Sequence, residues 1–156
     1  MIRASTRGTC LFSSKCIVLG YGKIGRALCR MLRGVGAKVI AVGRSGGSLE
    51  QAYKDGIEAR DFAAWHEVLP QADWVMNTIP YPVMGNKELS LLRSGCKLME
   101  LASAPYGIDK EAALDLGLDY TLEASIPGRF YPRSAAEAML GSVCRIIQDE
   151  EGKDES

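Results

Sequence analysis

The sequence predicts an α/β fold in which a doubly wound parallel sheet of about six strands carries helices on both faces. Two observations predict it. Along the 156 residues, the spacing of apolar side chains switches repeatedly between the period of a strand and that of a helix. A turn with three glycines, Gly20, Gly22 and Gly25, joins the first predicted strand to the first predicted helix. Since crossovers between parallel strands are right-handed, the doubly wound topology is the natural arrangement.

Short apolar segments predict the six strands, at residues 16–19, 38–42, 57–59, 74–78, 97–101 and 120–123. Helical spacing occurs between them at 23–33, 48–55, 62–69, 86–93 and 109–116, and again at 134–148. The first helix is expected to bury one apolar face, formed by Ile24, Ala27, Leu28, Met31 and Leu32. Because strands and helices alternate, the strands are expected to pair in parallel.

Residues with known positional preferences mark the helix ends. Gly34 and Gly36 are expected to end the first helix, and Ser48 and Asp109 are predicted N-caps. Three further glycines occupy positions where helix C-termini are expected: Gly56, Gly95 and Gly117.

Size and composition indicate one domain at residues 16–148, with an N-terminal extension at 1–15 and a solvated, disordered acidic tail at 149–156. No apolar run approaches the roughly 20 residues of a membrane-spanning helix, so no membrane partner is expected. The five cysteines are odd in number and form no CxxC pair. They therefore favour reduced buried thiols in a cytoplasmic protein over a disulfide framework or a metal site. The basic, Ser- and Thr-rich start is similar to a transit peptide, but a strand follows at once and leaves little room for a removable segment.

The net charge of zero hides an asymmetry along the chain. Residues 1–49 contain nine Lys or Arg and no acid, whereas all 19 acids follow. A basic N-terminal third suits nucleic acid, and it suits equally a single polyphosphate ligand near the first helix. With the glycine turn taken into account, we predict a nucleotide ligand and no nucleic-acid partner.

The glycine turn is the first candidate binding element. A GxGxxG pattern alone is weak evidence, but here it lies between a strand and a helix, the context that gives it meaning. Gly20 permits the tight turn, Gly22 lets a pyrophosphate approach the backbone, and Gly25 lets the helix pack close to the strand. Lys23 and Ile24 are expected to contact the pyrophosphate through their backbone N–H groups. The alternative is a packing turn in a domain that binds no ligand.

The end of the second strand discriminates between cofactors. Sites selective for NAD usually place Asp or Glu there, on the ribose hydroxyls, whereas this chain has Gly43, then Arg44 and Ser45. Without a carboxylate at this position, a 2′-phosphate meets no like-charge repulsion there. Arg44 can bind the phosphate through two parallel charge-assisted hydrogen bonds. We therefore predict that NADP is favoured over NAD, the alternative being a solvent-exposed Arg44. The missing acid also argues against a methyltransferase that uses S-adenosylmethionine.

Proline-containing loops follow the later strands: NTIPYPV after the fourth, ASAPYG after the fifth and EASIPGRFYPRS after the sixth. Loops at the carboxyl ends of parallel strands are where such sheets bind ligands. Ordinary helix-start prolines are the alternative. His66 lies before the fourth strand, in the wrong place for a base opposite a nicotinamide, and is expected to be a partly buried helix residue. Trp65 and Trp74 are predicted core residues.

At these loops the sequence resembles the C-terminal, dinucleotide-binding Rossmann half of the dipicolinate synthase A subunit. The matching pieces are GYGKIGRALCRMLRGVGAKV, GRS, VMNTIP, LMELASAPYGIDKEAALDLGL and IPGRFYPRSAAEAML, which lie between residues 16 and 148. The resemblance implies a nicotinamide-dependent oxidation of dihydrodipicolinate to dipicolinate in sporulating bacteria, alongside a second, flavoprotein-like subunit. In such a domain we expect Thr78, Ile79 and Pro80, with Ser103 and Ala104, to border the nicotinamide. Arg129 or Arg133 is a candidate to meet a substrate carboxylate, the alternative being that both are surface charges.

Two departures from the family pattern stand out. Ser134-Ala135-Ala136 replaces the usual Thr-Ala-Gly, which is a mild change. Family members also carry a substrate domain of comparable size before the Rossmann half, and only about fifteen residues precede the first strand here. We therefore expect the cofactor half alone, with catalysis dependent on the missing substrate domain or second subunit.

The sequence supports three functions. The first is the NADP(H)-binding domain of a dipicolinate synthase-like oxidoreductase, with a dicarboxylate substrate. The second is a non-catalytic NADP(H)-binding subunit or remnant. The third is a fragment of a 2-hydroxyacid dehydrogenase, which would use a histidine late in the chain, where none follows His66. No catalytic acid or base stands out in the sequence. The sequence leaves open whether the protein forms a homo-oligomer.

Overall fold

The structure is a computed structural model that describes residues 11–44 and 46–123 together with Gly141 and Arg145. Six strands form one sheet: β1 (Lys15–Leu19), β2 (Lys38–Gly43), β3 (Glu58–Asp61), β4 (Trp74–Asn77), β5 (Lys97–Glu100) and β6 (Asp119–Leu122). The strand order is β3-β2-β1-β4-β5-β6, and every pairing is parallel. Strands β2 and β3 are added on one side of β1, and β4, β5 and β6 on the other, so the strand order reverses between β1 and β4. The doubly wound fold predicted from the sequence is therefore confirmed.

Within residues 11–44 and 46–123, four α-helices connect the strands: α1 (Lys23–Gly34), α2 (Gly47–Lys54), α3 (Asn86–Leu89) and α4 (Lys110–Asp115). Alternation along the strands divides the core into two layers. On the α1 and α2 side, Val18 and Ala41 pack with Leu28 of α1. On the other side, Ile17, Val75 and Leu98 pack with residues of the later loops and helices. Both faces of the central strands are buried, which explains their nearly continuous apolar sequence.

The predicted helix at 62–69 is wrong: two 3-10 turns stand there, at Trp65–Glu67 and Leu69–Gln71. Trp65 and Leu69 have helical spacing and are both buried, so the pattern arises from burial in one core layer. Pro70 has no N–H group to donate to the His66 carbonyl in an α-helix, and it lies in the second 3-10 turn. His66 is consequently a residue of a 3-10 turn, one third exposed.

Most predicted helix ends are confirmed. Asp109 accepts a hydrogen bond from the Ala112 N–H at 3.0 Å, as an N-cap does. Gly36, Gly56, Gly95 and Gly117 all have positive φ after a helix or turn, where a glycine relieves steric strain.

Two helix details differ from the prediction. Ser48 is not an N-cap, since α2 begins after Gly46 and the Ser48 hydroxyl donates to the Arg44 carbonyl. The predicted helix at 86–93 is α-helical only at Asn86–Leu89.

Several predictions fall on residues outside the described part of the chain. These are Ser45, Arg129, Arg133, the segment Ser134-Ala135-Ala136, the cysteines at 10 and 144 and the acidic tail. Of the predicted helix at 134–148, only Gly141 and Arg145 are described, and both are helical.

Candidate functional site

The three glycines of the turn after β1 meet three different spatial demands. Gly20 has φ of +94°, and a Cβ there would lie 2.6 Å from the Thr78 Oγ1 atom. At Gly25, a Cβ would lie only 2.0 Å from the Gly20 carbonyl oxygen, so α1 could not approach β1 as closely. At Gly22, by contrast, a Cβ would have no atom within 4 Å. Gly20 and Gly25 are therefore required by the fold, whereas the space over Gly22 is open.

The N-terminus of α1 faces this open space without a side-chain cap. Gly22 is the N-cap residue, and no acid occupies the first turn. The Arg26 N–H makes the first backbone bond, to the Gly22 carbonyl at 2.9 Å, so the N–H groups before it have no acceptor within the helix. Lys23 and Ile24, at this end, are exposed, so the prediction that this helix buries Ile24 is wrong. Orphan N–H groups and the positive end of the helix dipole suit an anion, and the residues present therefore fit a pyrophosphate.

The basic residues of α1 are directed elsewhere. Arg26 and Arg30 form ion pairs with Asp55 just after α2, at 2.7 and 3.2 Å, and Arg33 donates to the Asp55 and Gly56 carbonyls. The pKa of Asp55 is well below its usual range, chiefly because Arg26 and the Tyr21 hydroxyl donate hydrogen bonds to it. This part of the basic N-terminal third therefore joins α1 to the end of α2.

At the end of β2, the backbone leaves the sheet through a glycine-rich loop. Gly43 is buried, Arg44 is exposed, and Gly46 has φ of +109°. On the neighbouring strand, Asp61 lies in register with Gly43. Sequence reasoning missed Asp61, because only the pairing of β2 with β3 places it beside Gly43. Gly43 occupies the position where NAD-selective sites usually have an acid. The signal for Asp61 was an acidic residue at the end of the short segment Glu-Ala-Arg-Asp, which forms β3.

Thr78 connects the end of β4 to the end of β1. Its N–H and its hydroxyl both donate to the Leu19 carbonyl, at 3.0 and 2.8 Å. The residues that follow, Ile79 and Pro80, are half-buried and exposed respectively. The structure therefore brings this loop directly beside Gly20, across the point where the strand order reverses.

A buried pair that sequence reasoning missed lies beneath the later loops. The side chains of Asn77 and Glu100, at the ends of β4 and β5, form a hydrogen bond of 2.7 Å and are fully buried. Glu100 also accepts from the backbone N–H groups of Ala102, Gly107 and Ile108 at 2.9–3.1 Å. Two polar residues in register at the ends of apolar strands were the available signal.

The Asn77–Glu100 pair fixes the shape of both loops. Asn77 donates to the Ile79 carbonyl and accepts from the Ile79 N–H, at 2.9 and 3.0 Å. At Gly107, a Cβ would lie 2.2 Å from the Asn77 Nδ2 atom. Ser103 and Ala104 are exposed on the β5 loop held by this network. Nearby, burial and the Glu100 charge raise the pKa of Tyr120 to about 12.

Other candidate chemistry is sparse within the described residues. His66 Nε2 lies 3.4 Å from Glu88 Oε1, and both side chains are partly buried. Cys16, Cys29 and Cys96 are free and buried, and burial raises the pKa of each thiol to about 12.

No group of three or more metal-binding side chains occurs among the described residues. Nor does this part of the chain contain a helix of the length and apolarity that a bilayer crossing requires.

The fold and the glycine turn define a dinucleotide-binding domain of the doubly wound class. More specifically, the chain belongs to the family described as the NAD-binding domain of D-isomer specific 2-hydroxyacid dehydrogenases, whose model matches residues 2–115. Its cofactor class is therefore a nicotinamide dinucleotide.

Individual relatives confirm the resemblance noted in the sequence. The dipicolinate synthase A subunit of Bacillus subtilis is 28% identical over 146 residues, which are 92% of this chain and 49% of that protein. The crystal structure of its Bacillus halodurans counterpart has a TM-score of 0.73 at 26% identity and covers 88% of this chain and 47% of that one. The Bacillus subtilis structure gives 0.72 at 27%, with 90% and 48% covered. The chain thus spans about half the length of these relatives.

Proposed function

We propose that this chain is the NADP(H)-binding domain of a cytoplasmic, dipicolinate synthase-like oxidoreductase of sporulating bacteria, which oxidises dihydrodipicolinate to dipicolinate. The observation that carries the proposal is the open space over Gly22 at the uncapped N-terminus of α1. The similarity to the dipicolinate synthase A subunit supports the substrate class. The domain extends over 16–148 in this proposal, with the tail at 149–156 outside it.

The dinucleotide would lie along the carboxyl edge of the sheet. The pyrophosphate is assigned to the N–H groups of Gly22, Lys23 and Ile24, and the nicotinamide to the loop at Thr78–Pro80 with Ser103 and Ala104. Oxidation of a dihydropyridine gives up one hydride, which an oxidised nicotinamide bound at this loop would accept, and one proton.

Preference for NADP(H) rests on Arg44. Arg44 is exposed beside the buried Gly43, where its guanidinium can donate charge-assisted hydrogen bonds to a phosphate. A hydrogen bond to a charged group contributes about 1.5–3 kcal/mol, which is roughly ten- to a hundredfold in affinity. Arg44, with Ser45, is therefore assigned to the 2′-phosphate.

Calorimetric titration with NADPH and NADH tests both assignments. NADPH should bind at least several-fold more tightly, and Arg44→Ala should remove the difference while NADH binding is retained. Lys38→Ala is the matched control, because it removes one exposed positive charge at the opposite edge of the sheet. Equal affinities in the unmutated chain would refute the phosphate assignment, and the absence of binding to either nucleotide at millimolar concentration would refute the proposed function.

Hydride transfer needs a substrate held about 3–3.5 Å from the nicotinamide. We propose that a substrate domain or second subunit facing the carboxyl edge supplies this contact. The alternative function is nucleotide binding by this domain without catalysis of its own. Turnover of dihydrodipicolinate should be absent with this chain alone and appear when the relative's remaining domain is added. Turnover by the chain alone would contradict the division of the active site.

A further inference from the structure

The carboxylate of Asp61 occupies a defined place at the carboxyl edge of the sheet. Asp61 is the last residue of β3 and lies in register with Gly43, the last residue of β2. Neighbouring strands are about 4.8 Å apart, so this carboxylate lies one strand spacing beyond the end of β2. Asp61 is half-buried and therefore accessible to a ligand on this edge.

The two oxygens of this carboxylate have different partners. Oδ1 accepts from the Ala63 and Ala64 N–H groups, at 3.0 and 2.9 Å, and so stabilises the turn that follows β3. Within residues 11–44 and 46–123, Oδ2 accepts no hydrogen bond. One oxygen therefore holds the loop, and the other is available to a donor.

The proposed position of the dinucleotide determines which of its groups reaches Asp61. The pyrophosphate is assigned to the turn after β1 and the adenosine ribose to the end of β2. The base then continues outward along the same edge, toward the end of β3. Two strand spacings, about 10 Å, separate β1 from β3, and the adenosine half runs in that direction because the nicotinamide half occupies the β4 side.

We propose that Asp61 Oδ2 accepts a hydrogen bond from the exocyclic amine of adenine and that the site thereby selects adenine over 6-oxopurine dinucleotides. An ionised carboxylate only accepts hydrogen bonds. Adenine presents an N–H₂ donor at its 6-position, whereas hypoxanthine presents a carbonyl oxygen there, which Oδ2 would repel. This inference rests on the proposed function, since it needs the dinucleotide on this edge.

The test compares NADPH with its hypoxanthine analogue, nicotinamide hypoxanthine dinucleotide phosphate in reduced form. The two ligands share both phosphates and the nicotinamide, so their affinity ratio reports the base alone. We expect the unmutated 156-residue chain to bind NADPH about tenfold or more tightly than the analogue, as loss of one hydrogen bond to a charged group implies.

Asp61→Asn separates the structural oxygen from the ligand-binding one. The amide oxygen can still accept from Ala63 and Ala64, while the amide nitrogen replaces Oδ2 with a donor. The affinity ratio should fall to about one or reverse in favour of the analogue. Asp109→Asn is the matched control: Asp109 also accepts a backbone N–H through Oδ1, but on the loop before α4. Its ratio should equal that of the unmutated chain.

Each outcome has a distinct meaning. A ratio near one in the unmutated chain overturns the inference even if no variant folds. An Asp61→Asn ratio equal to that of the unmutated chain, with an unchanged melting temperature, also overturns it. Failure of the unmutated chain to bind either nucleotide overturns the proposed function, and the inference with it. Binding without discrimination overturns the inference alone.

Discussion

Gly22→Ala separates the binding role of the glycine turn from its structural role. The backbone of Gly22 has φ of −79° and ψ of −165°, an extended conformation that alanine adopts freely. The added methyl group would have no neighbour within 4 Å. It would, however, occupy the space through which a pyrophosphate reaches the N–H groups of α1.

The structure sets the expected magnitudes. Restriction of the unfolded chain by Gly→Ala stabilises a protein by about 0.4–1 kcal/mol, and alanine at an N-cap costs a comparable amount. The free energy of unfolding should therefore change by less than about 1 kcal/mol. Loss of two of the three hydrogen bonds assigned to the pyrophosphate costs about 3–6 kcal/mol, so NADPH affinity should fall by roughly 10²- to 10⁴-fold.

Calorimetry with NADPH and thermal denaturation by circular dichroism measure the two quantities on the same samples. Gly34→Ala is the control, because it makes the same substitution at the other end of α1, also with no atom within 4 Å. It should leave affinity unchanged. If Gly22→Ala binds NADPH within threefold of the unmutated chain, the pyrophosphate is not held at this turn and the reasoning is wrong.

Three further predictions concern stability. Gly25→Ala should destabilise the fold by at least about 1 kcal/mol, since its Cβ would overlap the Gly20 carbonyl oxygen at 2.0 Å, and a drop in melting temperature of about 2 °C or more would register it. Glu100→Gln places an amide nitrogen against backbone N–H donors and should cost roughly 2–5 kcal/mol in urea denaturation, whereas the exposed Glu58→Gln should cost almost nothing. A folded-state pKa below the usual value means that Asp55 stabilises the fold above about pH 4 and loses this contribution as the pH falls further. The stability difference between the unmutated chain and Asp55→Asn should therefore shrink between pH 6 and pH 2, and a constant difference would contradict the ion-pair assignment.

Local sequence was enough to predict most of the fold. The period of apolar residues depends on which faces a strand or helix buries, and capping depends on a few neighbouring residues. The segment at 62–69 shows the limit of this information. Trp65 and Leu69 are buried at helical spacing in a stretch that contains no α-helix, because burial alone does not specify the hydrogen-bond pattern.

By itself, the sequence determined the alternation of strands and helices, the glycine turn at the end of β1 and the absence of an acid at the end of β2. Each depends on residues close together in the chain. Only the tertiary structure decided that Asp61 lies beside Gly43, that Asn77 contacts Glu100, and that α1 arginines pair with Asp55. These contacts join residues 18 to 29 positions apart. Parallel pairing of strands separated by a crossover creates the first two, and the packing of α1 beside the end of α2 creates the third.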